Sequence, residues 1–352
     1  MTKGATLLLL VQAAGLCIGT ENARPKWRLC YHSEMSAASM PYRRLGKAGL
    51  KVSALSLGGW TTFGGSVTDD DVTGRIMRRA FDAGVNFFDI ADIYAKGEAE
   101  RRMGAVLRQL PRHELVISSK VFWPMSDDIN DRGLSRKHII ESVEKSLKRV
   151  GADYLDLYFC HRFDEETPVE ETARAMDDLV RQGKVLYWGT SEWTGAQLRD
   201  VHAVSSRRGW DAPVVEQPQY SLLARRKFED DVRPAAVSLG MGLVVWSPLA
   251  SGVLTGKYDD GIPAGTRLDR IEWLRESVLG EDKRDRVRRF GDVANELGTT
   301  RARLALAWAL KQPGVSSVIT GATSLEQLDE NLAALDVVVD DATAVRLNGL
   351  FP

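Results

Sequence analysis

Eight short apolar runs, each followed by a stretch of helical periodicity, constrain this chain more than any other feature of its sequence. The runs cover residues 54–58, 86–91, 115–120, 154–160, 185–190, 214–217, 242–246 and 315–321. They are rich in β-branched and aromatic residues and show little polar alternation, as expected of parallel strands covered on both faces. Helical patterns fill 69–83, 98–109, 135–149, 195–208 and 228–239, with others after Thr167, near Arg286 and over 324–335. Asp69, Asp70 and Asp71 suit the positive end of the first helix dipole. Thr167-Pro168-Val169-Glu170 and Ser324 with Gln327 read as capping boxes. Eight such units over about 300 residues favour a closed (β/α)8 TIM barrel over an open sheet. A hairpin over 41–52, turning at 46–49, should precede the α/β barrel.

One connection breaks the rhythm. Almost forty residues separate Trp246, at the end of strand seven, from the helical pattern near Arg286. A long loop on the strand-end rim is expected to be a lid or a ligand clamp. Its glycines and proline are Gly252, Gly256, Gly261, Pro263 and Gly265.

Composition removes several classes of function. A net charge of −1 gives no footprint for nucleic acid or an anionic membrane. The basic run 283–289 reads as a solvated helix face. Three cysteines, Cys17, Cys30 and Cys160, occur without Cys-x-x-Cys or zinc-like spacing. Strand alternation turns Cys160 away from the adjacent His161, toward a helix and away from nucleophile chemistry. Lys3 precedes an apolar run over 5–19, of secretory-signal rather than membrane-span length. Residues 1–39 therefore read as an extension, signal-like, disordered or upstream of the true start, and 40–352 as the barrel domain. No other long apolar run is present, so membrane insertion is not expected and the cytoplasm is the expected location.

The chemistry gathers where strands two, three and four end. Asp89 lies in one run with Tyr94 just beyond it, Lys120 ends the next, and His161 follows the third. In a (β/α)8 barrel these ends share one rim. A lysine ammonium stabilises phenolate and should lower the tyrosine pKa, while Asp89 holds that lysine charged. His161 offers a hydrogen bond to a substrate oxygen. The set suits protonation of an oxygen becoming an alkoxide, which is carbonyl reduction if hydride is supplied.

No side chain carries hydride, so a nicotinamide is required. The Gly-x-Gly-x-x-Gly fingerprint is absent, and Gly252-Val253-Leu254-Thr255-Gly256-Lys257-Tyr258 fails as a phosphate loop in spacing and in its final residue. Phosphates would have to be held by cations of the long loop, Lys257 and Arg267, and by the helix after strand eight. Without a nicotinamide, the same fold would suit a lyase or an isomerase.

Seven stretches carry a family resemblance: GGWTTFGG from Gly58, FFDIADIYAKGEAE from Phe87, SKVFW from Ser119, YWGTSEW from Tyr187, EQPQY from Glu216, WSPLASGVLTGKYDDGIP from Trp246 and GATSLEQLDEN from Gly321. Through them, residues 40–352 resemble the aldo-keto reductases, most of all the β-subunits of voltage-gated potassium channels and their bacterial relatives. The resemblance implies a catalytic tetrad of Asp89, Tyr94, Lys120 and His161, with Tyr94 as general acid and base, and NADPH/NADP+ as cofactor. It implies a nicotinamide near Gly59, Trp60, Ser191 and Gln217. It implies a pyrophosphate path along Trp246, Ser247, Pro248, Leu249, Ser251 and Lys257. The 2′-phosphate would meet Arg267, Thr323 and Gln327, and the adenine end Gly321, Glu330 and Asn331. Trp60 and Trp123 would wall the substrate pocket. Two positions depart from the channel subunits, which carry Arg in place of Glu192 and often Asn in place of His161.

The expected function is reduction of a small-molecule aldehyde or ketone. The alternative is an NADP(H)-binding redox sensor attached to a channel, although no docking surface for a channel is legible. Self-association is left open.

Overall fold

The computed structural model describes residues 39–352, so the expectation for residues 1–38 lies outside the described part. The hairpin strands are β1 (Tyr42–Arg44) and β2 (Lys51–Ser53). The barrel strands are β3 (Leu55–Gly58), β4 (Phe87–Asp89), β5 (Val116–Val121), β6 (Leu155–Cys160), β7 (Val185–Ser191), β8 (Val215–Gln217), β9 (Gly242–Val245) and β10 (Val315–Thr320). All eight pair in parallel and in sequence order, and β10 returns to β3 to close the ring. The helices are α1 (Asp70–Asp82), α2 (Glu98–Leu107), α3 (Arg136–Val150), α4 (Val169–Arg181), α5 (Gly195–Arg208) and α6 (Arg233–Leu239). They continue as α7 (Arg267–Arg270), α8 (Glu272–Val278), α9 (Glu281–Glu296), α10 (Arg301–Lys311), α11 (Leu325–Leu332) and α12 (Asp341–Leu350).

Strand alternation sorts the apolar residues into two cores. Phe87, Val116, Leu157, Phe159, Val215, Val244 and Ile319 fill the barrel interior. Leu45 and Val52 from the hairpin join them, so the hairpin plugs one end. It is tied to strand beginnings, because Lys47 N donates to Gly240 O at 2.8 Å and Arg43 donates to Val315 O at 2.9 Å. The opposite, strand-end face is left open for chemistry. Between strands and helices lies the larger core, which includes Phe88, Ile117, Tyr158, Trp188 and Trp308. Cys160 is buried there, on the helix side as expected. Among the described residues no helix is long and apolar enough to cross a membrane.

Local signals held where no stronger partner intervened. Asp69 caps α1 through the Asp71 and Val72 amides, and Thr194 with Gln197 closes a full box on α5. The box expected at Thr167 does not form. Pro168 occupies the cap position, and the Thr167 hydroxyl donates to Asp164 at 2.7 Å, a charged acceptor that outcompetes a backbone amide. Ser324 caps α11, but the Gln327 carboxamide oxygen turns to the amide and hydroxyl of Thr323, both at 3.0 Å, leaving that box half made. The helix expected over 228–239 opens as a wider π turn at Lys227–Val232, and Pro234, which has no N–H to donate, lies just after it. The long connection after β9 carries a tight turn, Ala250–Thr255, then α7, α8 and the start of α9. Helices α10 and α12 are additions to the sequence reading.

Helices α2 and α3 meet at Gly104, where an added Cβ would lie 2.4 Å from the Val150 carbonyl oxygen. Alanine in a helix interior gains about 1 kcal/mol over glycine, whereas overpacking against backbone costs about 1–3 kcal/mol. Gly104→Ala should therefore lower stability, read as a reduced urea midpoint; an unchanged or raised midpoint would show that the two helices separate freely.

Candidate active site

Parallel pairing sets Asp89 of β4 opposite Ser118 of β5, and Lys120 of β5 opposite Phe159 of β6. Asp89 and Lys120 face inward at the strand ends. The Lys120 ammonium donates to Asp89 Oδ2 at 2.6 Å and to Ile90 O at 2.8 Å. Asp89 Oδ1 accepts from Ser118 Oγ at 2.8 Å and from Gln217 Nε2 at 2.9 Å. The ion pair is buried, and three further groups, the Ile90 carbonyl, the Ser118 hydroxyl and the Gln217 carboxamide, hold it. Tyr94 stands at the turn after β4, where Ala95 and Lys96 take the left-handed region at φ 50° and 51°. Its ring centroid lies 5.0 Å from Lys120 Nζ and 5.7 Å from the His161 ring, which it meets edge-on. Trp123 also meets the His161 ring edge-on, at 6.3 Å. The four expected groups do converge.

The electrostatics differ from expectation. Burial pushes the Tyr94 phenol well above its ordinary value, with the Asp89 carboxylate adding to the rise. A lowered value was expected from Lys120. Burial depresses the Lys120 ammonium, opposed by Asp89, and its charge is directed at that carboxylate. Burial, and then the charge of Lys120, push the His161 imidazole well below its ordinary value. The arrangement thus presents a protonated phenol beside a neutral imidazole, with a paired ammonium behind them.

These groups form one end of a cavity of about 1340 Å³. Trp60, Trp123, Ser191, Gln217, Trp246, Ser247, Pro248, Leu249 and Ser251 border it, as do Lys257, Arg267, Gly321, Thr323, Gln327, Glu330 and Asn331. Two expected residues do not. Gly59 faces α2, where a Cβ would meet Met103 Sδ at 2.9 Å, and Gly58 takes the cavity position. Lys120 is fully buried behind Asp89. The Ser251 hydroxyl is buried without a partner, and neither Lys257 nor Arg267 has an ion pair among the described residues. Ser247, Ala250 and Ser251 adopt positive φ of 56°, 47° and 57°, a strained run beside the cavity.

Glu192 turns away into a neighbouring cavity. Its carboxylate accepts from the Gln219 amide, from Trp246 Nε1 at 3.1 Å and from Lys227 Nζ at 2.9 Å. Several bordering residues were missed in the sequence, among them Arg162, Gln219, Arg270, Trp273 and Thr300. Arg162 was within reach of sequence reasoning, since it directly follows His161 at a strand end. Trp273 lies on α8, for which the sequence carried no strong pattern.

A family model described as "Aldo/keto reductase family" matches residues 54–350. Two relatives, from Arabidopsis thaliana and Oryza sativa subsp. japonica, each carry the name "Probable voltage-gated potassium channel subunit beta". Each is 47% identical over 304 residues, covering 85% of this chain and 92% of its own.

Two fully buried acids stand behind the site. Asp92 accepts from Ile93 N at 2.6 Å and Ser142 Oγ at 2.9 Å; burial, then the charge of Glu100, push it up to about 7. Glu216 accepts from the Thr190 hydroxyl and from Trp193 N at 3.1 Å. Burial pushes Glu216 up to about 8, with Glu192 adding to the rise. An unfolded glutamate ionises near 4.3, so between that value and about 8 the folded state holds a proton that the unfolded state has lost. This stability is full below the unfolded value and is lost as pH rises through the folded one, by up to about 1.4 kcal/mol per pH unit for each such group. Glu216→Gln should therefore lose less stability than the parent protein between pH 5 and pH 8, measured by urea unfolding at each pH. Parallel slopes would mean that Glu216 is ionised in the folded state.

Proposed function

The chain belongs to the aldo/keto reductase family, and on that premise we propose that it is an NADPH-dependent oxidoreductase that reduces aldehydes or ketones to alcohols. One observation carries the reading. Tyr94 and His161 stand together above a buried Lys120–Asp89 pair, in a cavity that is also bordered by Lys257 and Arg267, cations without an ion pair among the described residues.

The residues fit the implied cofactor. Arg267 is partly buried beside Trp60, 5.7 Å from its ring centroid, and burial lowers its pKa, so a phosphate would supply the anion it lacks. Lys257 and the unpartnered Ser251 hydroxyl would serve the pyrophosphate, while Trp60, Ser191 and Gln217 would hold the nicotinamide. When bound, that ring supplies a hydride to the carbonyl carbon.

The remaining chemistry belongs to the chain. Tyr94 keeps its proton until the carbonyl oxygen gains negative charge, because a buried phenol resists ionisation and an alkoxide is the stronger base. The neutral His161 ring can donate an N–H toward the same oxygen without adding a competing charge. Lys120 stabilises the phenolate left after transfer, and Asp89 keeps the ammonium charged and aimed. Trp60 and Trp123 supply apolar walls that orient the substrate and limit water.

A second reading is a binding subunit that reports cofactor redox state to a channel, and the names of the relatives favour it. His161 at the site favours turnover instead. The test is to purify the protein, look for co-purifying NADPH absorbance and follow its oxidation by a carbonyl panel. Multiple turnover supports the reductase; a single oxidation with stable co-purification of a channel supports the sensor.

Tyr94→Phe should abolish turnover while NADPH binding stays within a few-fold, by steady-state kinetics and fluorescence titration; retained turnover would remove Tyr94 from proton transfer. Arg267→Ala should weaken NADPH by about 10-fold or more, as expected for a lost charged hydrogen bond, and NADH much less. Equal losses would separate Arg267 from the 2′-phosphate.

A further inference from the structure

The catalytic end of the cavity holds a cation to which the proposed reaction assigns no task. Arg162 follows His161 directly and borders the same space as Tyr94, His161 and Trp123. It donates to the His161 carbonyl oxygen, and its guanidinium carbon lies 5.6 Å from the Trp123 ring centroid. These contacts hold the group in place and leave donors free. Arg162 has no ion pair among the described residues.

Its neighbours sharpen the point. The Lys120 charge is already committed to Asp89 at 2.6 Å in a fully buried pair. Lys257 and Arg267 belong to the long connection after β9, where the cofactor phosphates are proposed to lie. The carboxylates bordering the cavity are engaged elsewhere. Asp89 serves Lys120, Ser118 and Gln217, and Glu330 accepts from Thr300 and Arg303. The positive field of Arg162 nonetheless reaches the reacting groups, since its charge acts to lower both the Tyr94 phenol and the His161 imidazole. A planar guanidinium with free N–H groups beside an aromatic face is a carboxylate receptor, because its fork matches two oxygens at once.

We propose that Arg162 selects carbonyl substrates that carry a carboxylate, holding that group while Tyr94 faces the carbonyl oxygen. The inference rests on the reductase reading and adds a substrate class to it. The carboxylate makes and breaks no bond. The carbonyl π bond is replaced by a C–H bond, from hydride, and an O–H bond, with the proton from Tyr94; NADPH is oxidised to NADP+ and the product is a hydroxy acid.

The experiment compares 4-carboxybenzaldehyde with methyl 4-formylbenzoate, a neutral ester of similar size whose stronger electron withdrawal makes it the intrinsically more reactive aldehyde, in the parent protein and in Arg162→Met. In the parent, kcat/KM should favour the acid by on the order of 10- to 100-fold, the range of a charged hydrogen bond, mostly through KM. In Arg162→Met the ratio should fall to one or below, because the ester is then favoured by its greater electrophilicity. A parent ratio near one, a ratio unmoved by the substitution, or a loss of NADPH affinity in Arg162→Met would each overturn the proposal. Calorimetric binding of 4-(hydroxymethyl)benzoate in the presence of NADP+ provides an arm independent of turnover, with weakening on the same order expected in Arg162→Met. If neither aldehyde is reduced, the reductase reading fails, and this titration still decides whether Arg162 binds the carboxylate.

Discussion

A lysine ammonium with no solvent exposure is costly, and the strand-end architecture can be read as what makes Lys120 tolerable. Taking such a charge out of water costs several kcal/mol even after relaxation, and removing one partner of a buried pair costs about 3–5 kcal/mol. Lys120 is compensated by Asp89 and by the Ile90 carbonyl, while Asp89 is held in turn by Ser118 and Gln217. Those groups come from β4, β5 and β8 and the residue just after β4. No local segment could assemble them; closure of the barrel does. The same closure sets Tyr94 and His161 over the pair, so the interaction that demands the fold also places the chemistry.

Alternation along the strands made that much legible from residues alone. Once 86–91, 115–120 and 154–160 are neighbouring parallel strands, period two sends Asp89, Lys120 and His161 to one side and Cys160 to the other. Single-residue steps and competing energies decide the rest. Gly58 and Gly59 are one position apart, and that step alone exchanges the cavity for the face of α2. Thr167 has the chemistry of a cap, yet Asp164, fixed also by the Leu134 amide at 2.7 Å, takes its hydroxyl. For Tyr94 the sign itself reversed, because a charge argument ignores desolvation until burial is known. On the far wall of the cavity the cations Lys257 and Arg267 were legible from charge and loop length, whereas single positions such as Ser251 and Thr323 were reached only through resemblance.

The family resemblance led to an arginine at position 192, and this chain has a glutamate there. The chain places Glu192 at φ 63°, in the left-handed region that costs a non-glycine residue roughly 1–3 kcal/mol. In that conformation its carboxylate reaches the Gln219 amide, the Trp246 indole and the Lys227 ammonium together. Trp246 meets Trp60 edge-on at 5.9 Å, and Trp60 in turn lies beside Arg267. The carboxylate therefore anchors, from behind, a tryptophan wall that runs toward Arg267. An arginine could not accept the Trp246 indole hydrogen bond, nor pair with Lys227. In this chain the wall is held by the protein's own hydrogen bonds, from the Gln219 amide, the Trp246 indole and the Lys227 ammonium to one carboxylate.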